Sequence, residues 1–381
     1  MLRSSLILCL SFFAVSCNEQ LPDKVDIVID DLDVDLSRKN FKAWFEQVYP
    51  SGDELNWRIL GWQLDAAAGF LLAAQSRRPL LLWLEDGHPM GATSEHGREL
   101  RQALSDDSLV NWLSKYSLAT DDFNRTLDVI DVDEGQLAVY LPDGTLLASE
   151  FSTEPQELLI FLTTTLEEYE SLTDAERNAE LAADSLNDLP RAEDDFPDDG
   201  LGLEAFKRTA NSLVLDEFEP SVWGKDFIWF NADELQKFVN PIKISSKKNL
   251  SNELTHRIVQ SFGLQFKAED VHKPGLLFRC TSIRDSRSTY LISGTVNYQN
   301  SDGILRVKAQ GSATYDSSAN QFEVLEMIVL GEYVNSANDM QLFATALRKV
   351  TSLDGWHRVP PSNLADYSNA YYSSASGKPN K

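Results

Sequence analysis

Cysteine is scarce in this chain: three occur in 381 residues, at Cys9, Cys17 and Cys280. Cys9 lies inside an amino-terminal apolar run and Cys17 closes it, so a chain trimmed there keeps Cys280 alone. One thiol makes neither an internal disulfide nor a dithiol couple. Basic charge is short too. Against 59 Asp and Glu there are 34 Lys and Arg, and a formal net charge of -25 argues against wrapping a nucleic acid, since no local basic face stands out. Beyond the first residues no apolar run is long enough to cross a bilayer. The histidines are His88, His96, His256, His272 and His357, and none has a second histidine at the i, i+4 spacing of a helical zinc site. Glycines 294, 303 and 311 fall in or between strand-like stretches and make no phosphate loop. No metal and no cofactor is expected.

What is present is a chain that is 43% hydrophobic and 10% aromatic, enough apolar material for two packed cores. Its first residues, MLRSSLILCLSFFAVSC, carry one positive charge at Arg3, an apolar run from Leu6 to Val15 and small residues before Cys17, the layout of an export signal. Ala14-Val15-Ser16-Cys17 resembles a lipobox with Ala14 where Leu is commonest. Two outcomes stay open: a lipid on Cys17, or ordinary cleavage near Ser16. The expected location is outside the cytoplasm, with contact to a membrane only through a lipid at Cys17.

Between Asn18 and Leu36 acidic and aliphatic residues alternate. Asp31, Asp33 and Asp35 begin like a calcium loop, but Leu36 stands where the turn needs glycine and Lys42 where the bidentate glutamate belongs. An acidic spacer or a short edge strand is the expectation. Phe41, Trp44, Phe45 and Val48 recur at helical spacing, and Trp57 to Ser76 reads as a second helix. Pro79 to Leu84 is a short apolar run ending at Asp86-Gly87, a buried strand that stops in a turn. Ser94 can cap a helix to about Leu104, and Ser108 to Tyr116 makes further helical turns. Pro142-Asp143-Gly144-Thr145 joins two apolar strands as a hairpin, and a helix runs from Pro155 to about Tyr169.

LLLWLEDGHPMGAT, with the alanine-rich helix before it and the AVYLPDGTLLAS hairpin after it, resembles a group of exported thioredoxin-fold proteins of planctomycetes and their relatives, whose loop reads approximately Gly-His-Pro-Leu-Gly-Cys-Thr. Gly87, His88, Pro89, Gly91 and Thr93 match that loop, and Met90 is a mild change. Ala92 falls where the redox cysteine is expected, and Ser94 where a second cysteine or selenocysteine can sit. The resemblance also implies a proline just before the hairpin, whereas this chain reads Glu134-Gly135-Gln136-Leu137-Ala138. Thiol exchange needs a thiolate and normally a second sulfur to resolve the mixed disulfide. The implied domain is therefore a redox-inactive one.

The expected organisation is an export signal over 1–17, an acidic segment with a helix over 18–50, an α/β thioredoxin-like domain over 51–171, an acidic linker over 172–203, an α+β domain over 204–360 and a mobile tail over 361–381. From Asp121 to Glu204 there are 24 acidic residues and three basic ones, Arg125, Arg177 and Arg191, so much of the net charge is local. Asn211 to Pro220 reads as a strand, Asn231 or Asp233 can cap a short helix to Phe238, and Ser251 to Phe262 has a helical stripe. From Gly275 the texture is that of an antiparallel meander, with turns at Asn300-Ser301-Asp302-Gly303 and Asp316-Ser317-Ser318.

Among candidates for chemistry, His88 leads, because a loop at a strand's carboxyl end presents a side chain to solvent beside a helix N-terminus. The alternative is that His88-Pro89 shapes the turn and packs on Trp83. Glu85-Asp86 is a carboxylate pair beside a histidine, but neighbours at a strand end point opposite ways, and charge at a solvated loop explains them. Cys280 reads as a small core or edge side chain, and the aromatics from Trp223 to Phe230 as either a ligand groove or a closed core. The function expected is that of an exported scaffold that binds a protein partner or small ligand. A His88-centred enzyme, or an oxidoreductase using a partner's thiol, is the alternative.

Overall fold

The computed structural model describes residues 30–50, 52–85, 88–91, 94–122, 126, 135–189, 200–221, 223–240, 242–259, 266–273 and 275–350. The expectations for 1–17, Cys17, Asp86, Gly87, Ala92, Thr93 and 361–381 lie outside these residues.

Helix α1 is Phe41–Val48, with Phe41, Trp44, Phe45 and Val48 buried as their spacing requires. The helix expected over Trp57 to Ser76 is two pieces. A 3₁₀ helix, Asp53–Leu60, ends at Gly61 with φ 75°, and α2, Ala66–Ser76, starts afresh where the Asp65 carboxylate accepts the Ala68 N–H at 2.6 Å. Strand β1, Leu80–Glu85, is buried throughout. After it come α3 (Glu95–Leu104), α4 (Asp107–Leu113), β2 (Ser117–Asp122) and the hairpin β3 (Leu137–Tyr140) and β4 (Leu146–Glu150). Helix α5, Pro155–Ser171, then turns Leu158, Phe161, Leu162, Leu166 and Tyr169 inward. The four strands make one mixed sheet in the order β2-β1-β3-β4, with β1 parallel to β2 and antiparallel to β3.

The stretch expected to be an acidic linker carries two short helices, α6 (Asp174–Arg177) and α7 (Ala183–Asp188), and Leu181, Leu186 and Leu189 pack on the cluster around α2 and β1. Its last residues already belong to β5, Leu201–Ala210. The residues read as a strand, Asn211 to Pro220, instead form a loop with a 3₁₀ turn at Leu215–Glu217, and Val214 is 54% exposed. The cause is local: Asn211 and Ser212 side chains hydrogen-bond to Glu217 and Glu219 and fold the segment back on itself.

Next come β6 (Gly224–Phe230), α8 (Ala232–Val239) capped by Asn231, β7 (Lys247–Asn249), α9 (Asn252–Val259), β8 (Val271–Lys273), β9 (Leu277–Arg284), β10 (Arg287–Asn300), β11 (Gly303–Asp316), β12 (Gln321–Asn335) and β13 (Met340–Lys349). These strands form a nine-stranded antiparallel sheet, β6-β5-β13-β12-β11-β10-β9-β7, with β8 paired to β10. The meander is as expected, and its turn at Asn300 closes because that side chain accepts the N–H groups of Asp302 and Gly303.

Period-two alternation distributes the large sheet's side chains between two cores. Leu201, Leu203, Ala205, Ile228 and Phe230 join a core with α8, α9 and the meander, while Phe206, Phe227 and Trp229 face Trp57, Trp62, Trp83 and α5 of the first sheet. Met327 to Leu330 is an unbroken apolar run because β12 is covered on both sides there. The second cover includes α1 and Leu32, Val34 and Leu36. From Asp31 to Leu36 the alternation is thus that of a segment laid on the sheet, not of a free acidic spacer. The described residues from Asp31 to Val350 belong to one compact unit.

Candidate functional site

The corner at the carboxyl end of β1 is a closed knot. His88 is 4% exposed, contrary to the expectation of a solvent-presented imidazole. Its Nε2 donates to the Leu64 carbonyl at 2.9 Å, and its Nδ1 accepts the Met90 N–H at 3.1 Å. The His88 carbonyl accepts the Gly91 N–H at 2.7 Å. The ring therefore shapes the turn and ties it to the segment before α2. Pro89 and Met90 are buried with it.

Glu85 is also buried, at 1% exposure, which corrects its reading as a solvated loop charge. It accepts the Ser94 hydroxyl at 2.6 Å and the Trp83 Nε1–H at 3.4 Å. Ser94 in turn accepts the Gly97 N–H at 3.0 Å and so caps α3. His96 points elsewhere: its Nε2 donates to the Gly135 carbonyl at 3.0 Å and its ring stacks on Phe151 at 3.9 Å. The two histidines are spent on different backbone carbonyls, and no group of three metal-ligating side chains gathers among the described residues.

Beneath this corner lies a set of buried charges that residue-by-residue reading passed over. Arg101 sits on the inward stripe of α3 with Gly97, Leu100 and Leu104. Its guanidinium donates to the Gly91 carbonyl at 3.1 Å and lies 4.8 Å from the centre of the Trp223 ring. Burial lowers its pKa to about 9, with Glu85 acting in the opposite sense. The aromatics from Trp223 to Phe230 therefore close a core rather than line an open groove.

A second group sits on the same face of the large sheet. Glu204 accepts the Tyr49 hydroxyl at 2.9 Å and stands 3.5 Å from both Arg58 and Lys225. Arg208 donates to the Val48 and Ser221 carbonyls and to Glu54. Burial, then Glu204, pushes the Tyr49 phenol up to about 12, and burial drives Lys225 well below its ordinary value. Alternation explains the set: positions 204, 206 and 208 of β5 and 225, 227 and 229 of β6 share the face turned toward the first sheet. The available signal was a periodic one, a charge at the same alternate positions as the buried aromatics of its strand.

Cys280 is fully buried in β9 and is the free thiol among the described residues. Burial raises its pKa, so the thiolate is disfavoured. No protein-family model, curated protein or solved structure matches this chain, so its functional reading rests on the geometry just described.

Proposed function

We propose that the chain is a redox-inactive scaffold whose thioredoxin-like half binds another molecule instead of exchanging thiols. One observation carries this reading. The side chains at the corner where such a fold keeps its chemistry are consumed internally, with His88 held between Leu64 and Met90 and Glu85 held by Ser94. A general base or nucleophile must reach substrate, and a 4% exposed imidazole with both nitrogens engaged does not. Support for the thioredoxin-like assignment comes from strand order. A central strand parallel to one neighbour and antiparallel to a hairpin, with a helix leaving its carboxyl end, is the arrangement that the GHPMGAT loop implies.

The scaffold reading includes export, with Cys17 as the residue that carries a lipid. Mass spectrometry of the mature amino terminus decides between a lipidated Cys17 and plain cleavage at Ser16, and an intact Met1 discards both. The functional test is insulin reduction by the purified chain, alone and with Cys280→Ser and His88→Ala. The expected result is no thiol-dependent turnover in any of them. Turnover that His88→Ala abolishes would establish the enzyme and end the scaffold reading.

A further inference from the structure

The first sheet ends in an open edge. Among the described residues β4 pairs only with β3, whereas the opposite end of the sheet is closed by a bridge between Gln63 and Ala119 beside β2. An unpaired strand edge offers N–H and C=O groups at the spacing of another strand, and proteins normally blunt it. Among the described residues β4 carries no Lys or Arg and has no second strand beside it. Helix α5 lies next to it, and the stripe Glu157, Ile160, Phe161, Thr164 and Glu168 stands beside the inward stripe of that helix. With Ala148 and Glu150 of β4 these residues enclose a groove of about 380 Å³.

The groove has an apolar floor and single-signed walls. Its apolar side chains are Ala148, Phe161 and Ile160, the last 66% exposed. A singly exposed apolar residue means little by itself, but Ile160 stands in a groove beside an edge strand, where an added strand would cover it. The carboxylates are Glu150, Glu157 and Glu168, and no Lys, Arg or His occurs anywhere between Arg125 and Arg177. Glu150 is steadied there, since its Oε1 accepts the Phe151 and Ser152 N–H groups at 2.9 and 3.0 Å. An acidic occupant is repelled by that field, and a cationic one is drawn in and held in register.

We propose that β4 and α5 form the docking groove for an extended segment of a partner protein, about five residues long, in which Lys or Arg alternates with aliphatic residues. The segment enters as a fifth strand. Neighbouring strands lie about 4.8 Å apart, so a strand added to β4 extends the sheet over the side of α5 that carries Ile160 and Thr164. Backbone pairing supplies part of the affinity. The cations point to the α5 side, where their methylene stems cover Ile160 and their charges meet Glu150, Glu157 and Glu168. The aliphatic side chains point to the other side of the sheet, beside Leu146, which is 42% exposed and pairs with Tyr140 of the opposite core. This names the partner chemistry for the scaffold proposed above and rests on that reading.

The test uses the purified full chain and three fluorescein-labelled octapeptides: one alternating Lys and Val, one alternating Glu and Val, and the Lys peptide with Pro at its fourth and sixth positions. Fluorescence anisotropy is expected to show binding of the Lys peptide that weakens with salt, and none of the Glu peptide. The Pro peptide and the Glu150→Lys/Glu157→Lys chain are each expected to bind about tenfold or more weakly. Ile160→Gln, at an exposed position, gives a second variant whose folding is not in question, checked by unchanged circular dichroism. The proposal is overturned if the Lys peptide does not bind at about 1 mM. It is equally overturned if charge reversal and Pro leave binding unchanged, or if sedimentation shows that these variants abolish self-association instead, which makes the occupant a second copy. Insulin turnover is a separate readout: activity there ends the scaffold reading, whereas failure here ends only the assignment of this groove.

Discussion

Replacing Glu204 by Gln keeps the shape of the side chain and an acceptor for the Tyr49 hydroxyl, but leaves Arg58 and Lys225 facing each other without a carboxylate between them. Both cations lie 3.5 Å from Glu204, and the exposures of the three side chains are 7% for Glu204, 9% for Arg58 and 1% for Lys225. At that distance and an effective dielectric of ~20, each attraction is worth about 5 kcal/mol before desolvation is counted. Desolvating a carboxylate returns several kcal/mol of this, so the expected net loss on Glu204→Gln is about 3–5 kcal/mol. The loss has a ceiling, because burial lowers the pKa of Lys225 and so eases release of its proton once the carboxylate is gone. Lys225→Met alone removes one cation and its desolvation while Glu204 keeps Arg58 and Tyr49, so its effect is expected within about 1 kcal/mol of zero. The double variant should recover about 2 kcal/mol or more of the single Glu204→Gln loss. Urea unfolding followed by tryptophan fluorescence measures all four proteins, since Trp57, Trp62, Trp83, Trp223 and Trp229 lie in the core beside this group. A Glu204→Gln loss under about 1 kcal/mol, or no recovery with Lys225→Met, would refute the claim that this carboxylate balances two buried cations.

Four further measurements test other parts of the structure. Cys280 should be silent to Ellman's reagent in the folded chain and react on unfolding, and prompt reaction would contradict its burial in β9. Tyr116 and Tyr290, 3% and 2% exposed, have phenols that burial pushes up to about 12. Their neutral forms favour the fold, so that stability is fully present below pH ~10 and is lost as the pH rises toward 12, by about 3 kcal/mol for each; the part of the tyrosinate absorbance that is lost in Tyr116→Phe and Tyr290→Phe should appear with unfolding and not before it. His88→Ala removes the ties to Leu64 and Met90 and should lower stability by about 2–3 kcal/mol, and a variant as stable as the parent would contradict the closed corner. Gly331→Ala puts a Cβ 2.1 Å from the Phe343 ring and should lower the unfolding midpoint, whereas Gly52→Ala, which meets nothing within 4 Å, should not.

The sequence displays its elements where a single periodicity decides them. Strand β11 of the meander alternates over most of its length, α1 and α5 repeat at helical spacing, and the Asp143-Gly144 hairpin declares itself by turn chemistry. Other elements hide because something else in the sequence competes. Strand β5 begins within acidic linker composition, and β13 reads MQLFATALRK, a run without clean alternation whose strand state depends on β5 and β12 at its sides. The split between the 3₁₀ helix and α2 is marked only by Gly61 and by Asp65 as a cap inside an apolar run. At the corner, sequence locates the loop but says nothing of burial. Whether His88 and Glu85 face water is decided by Leu64, Met90, Ser94 and Arg101, which reach them from separate elements.

The buried charges also explain why the two sheets hold together despite the expectation of a linker between them. A purely apolar junction between Phe206, Phe227 and Trp229 on one side and Trp57, Trp62 and Trp83 on the other would tolerate sliding, since apolar contacts have no direction. Charge-assisted hydrogen bonds do have direction. Arg208 reaches the carbonyl at the end of α1 and the carboxylate of Glu54 in the 3₁₀ helix, and Arg101 reaches from α3 to Trp223 beside β6. Each contact is made in one alignment of the sheets, and a slip would leave a buried cation without its carboxylate, carbonyl or aromatic ring, at several kcal/mol. On this argument the ions at the junction add little to net stability and act instead to select one relative placement. Replacing Arg208 by Met should therefore leave the chain folded but broaden the signals of Trp57 and Trp223 indole groups in NMR spectra, and sharp, unshifted indole signals in that variant would show that apolar packing alone sets the alignment.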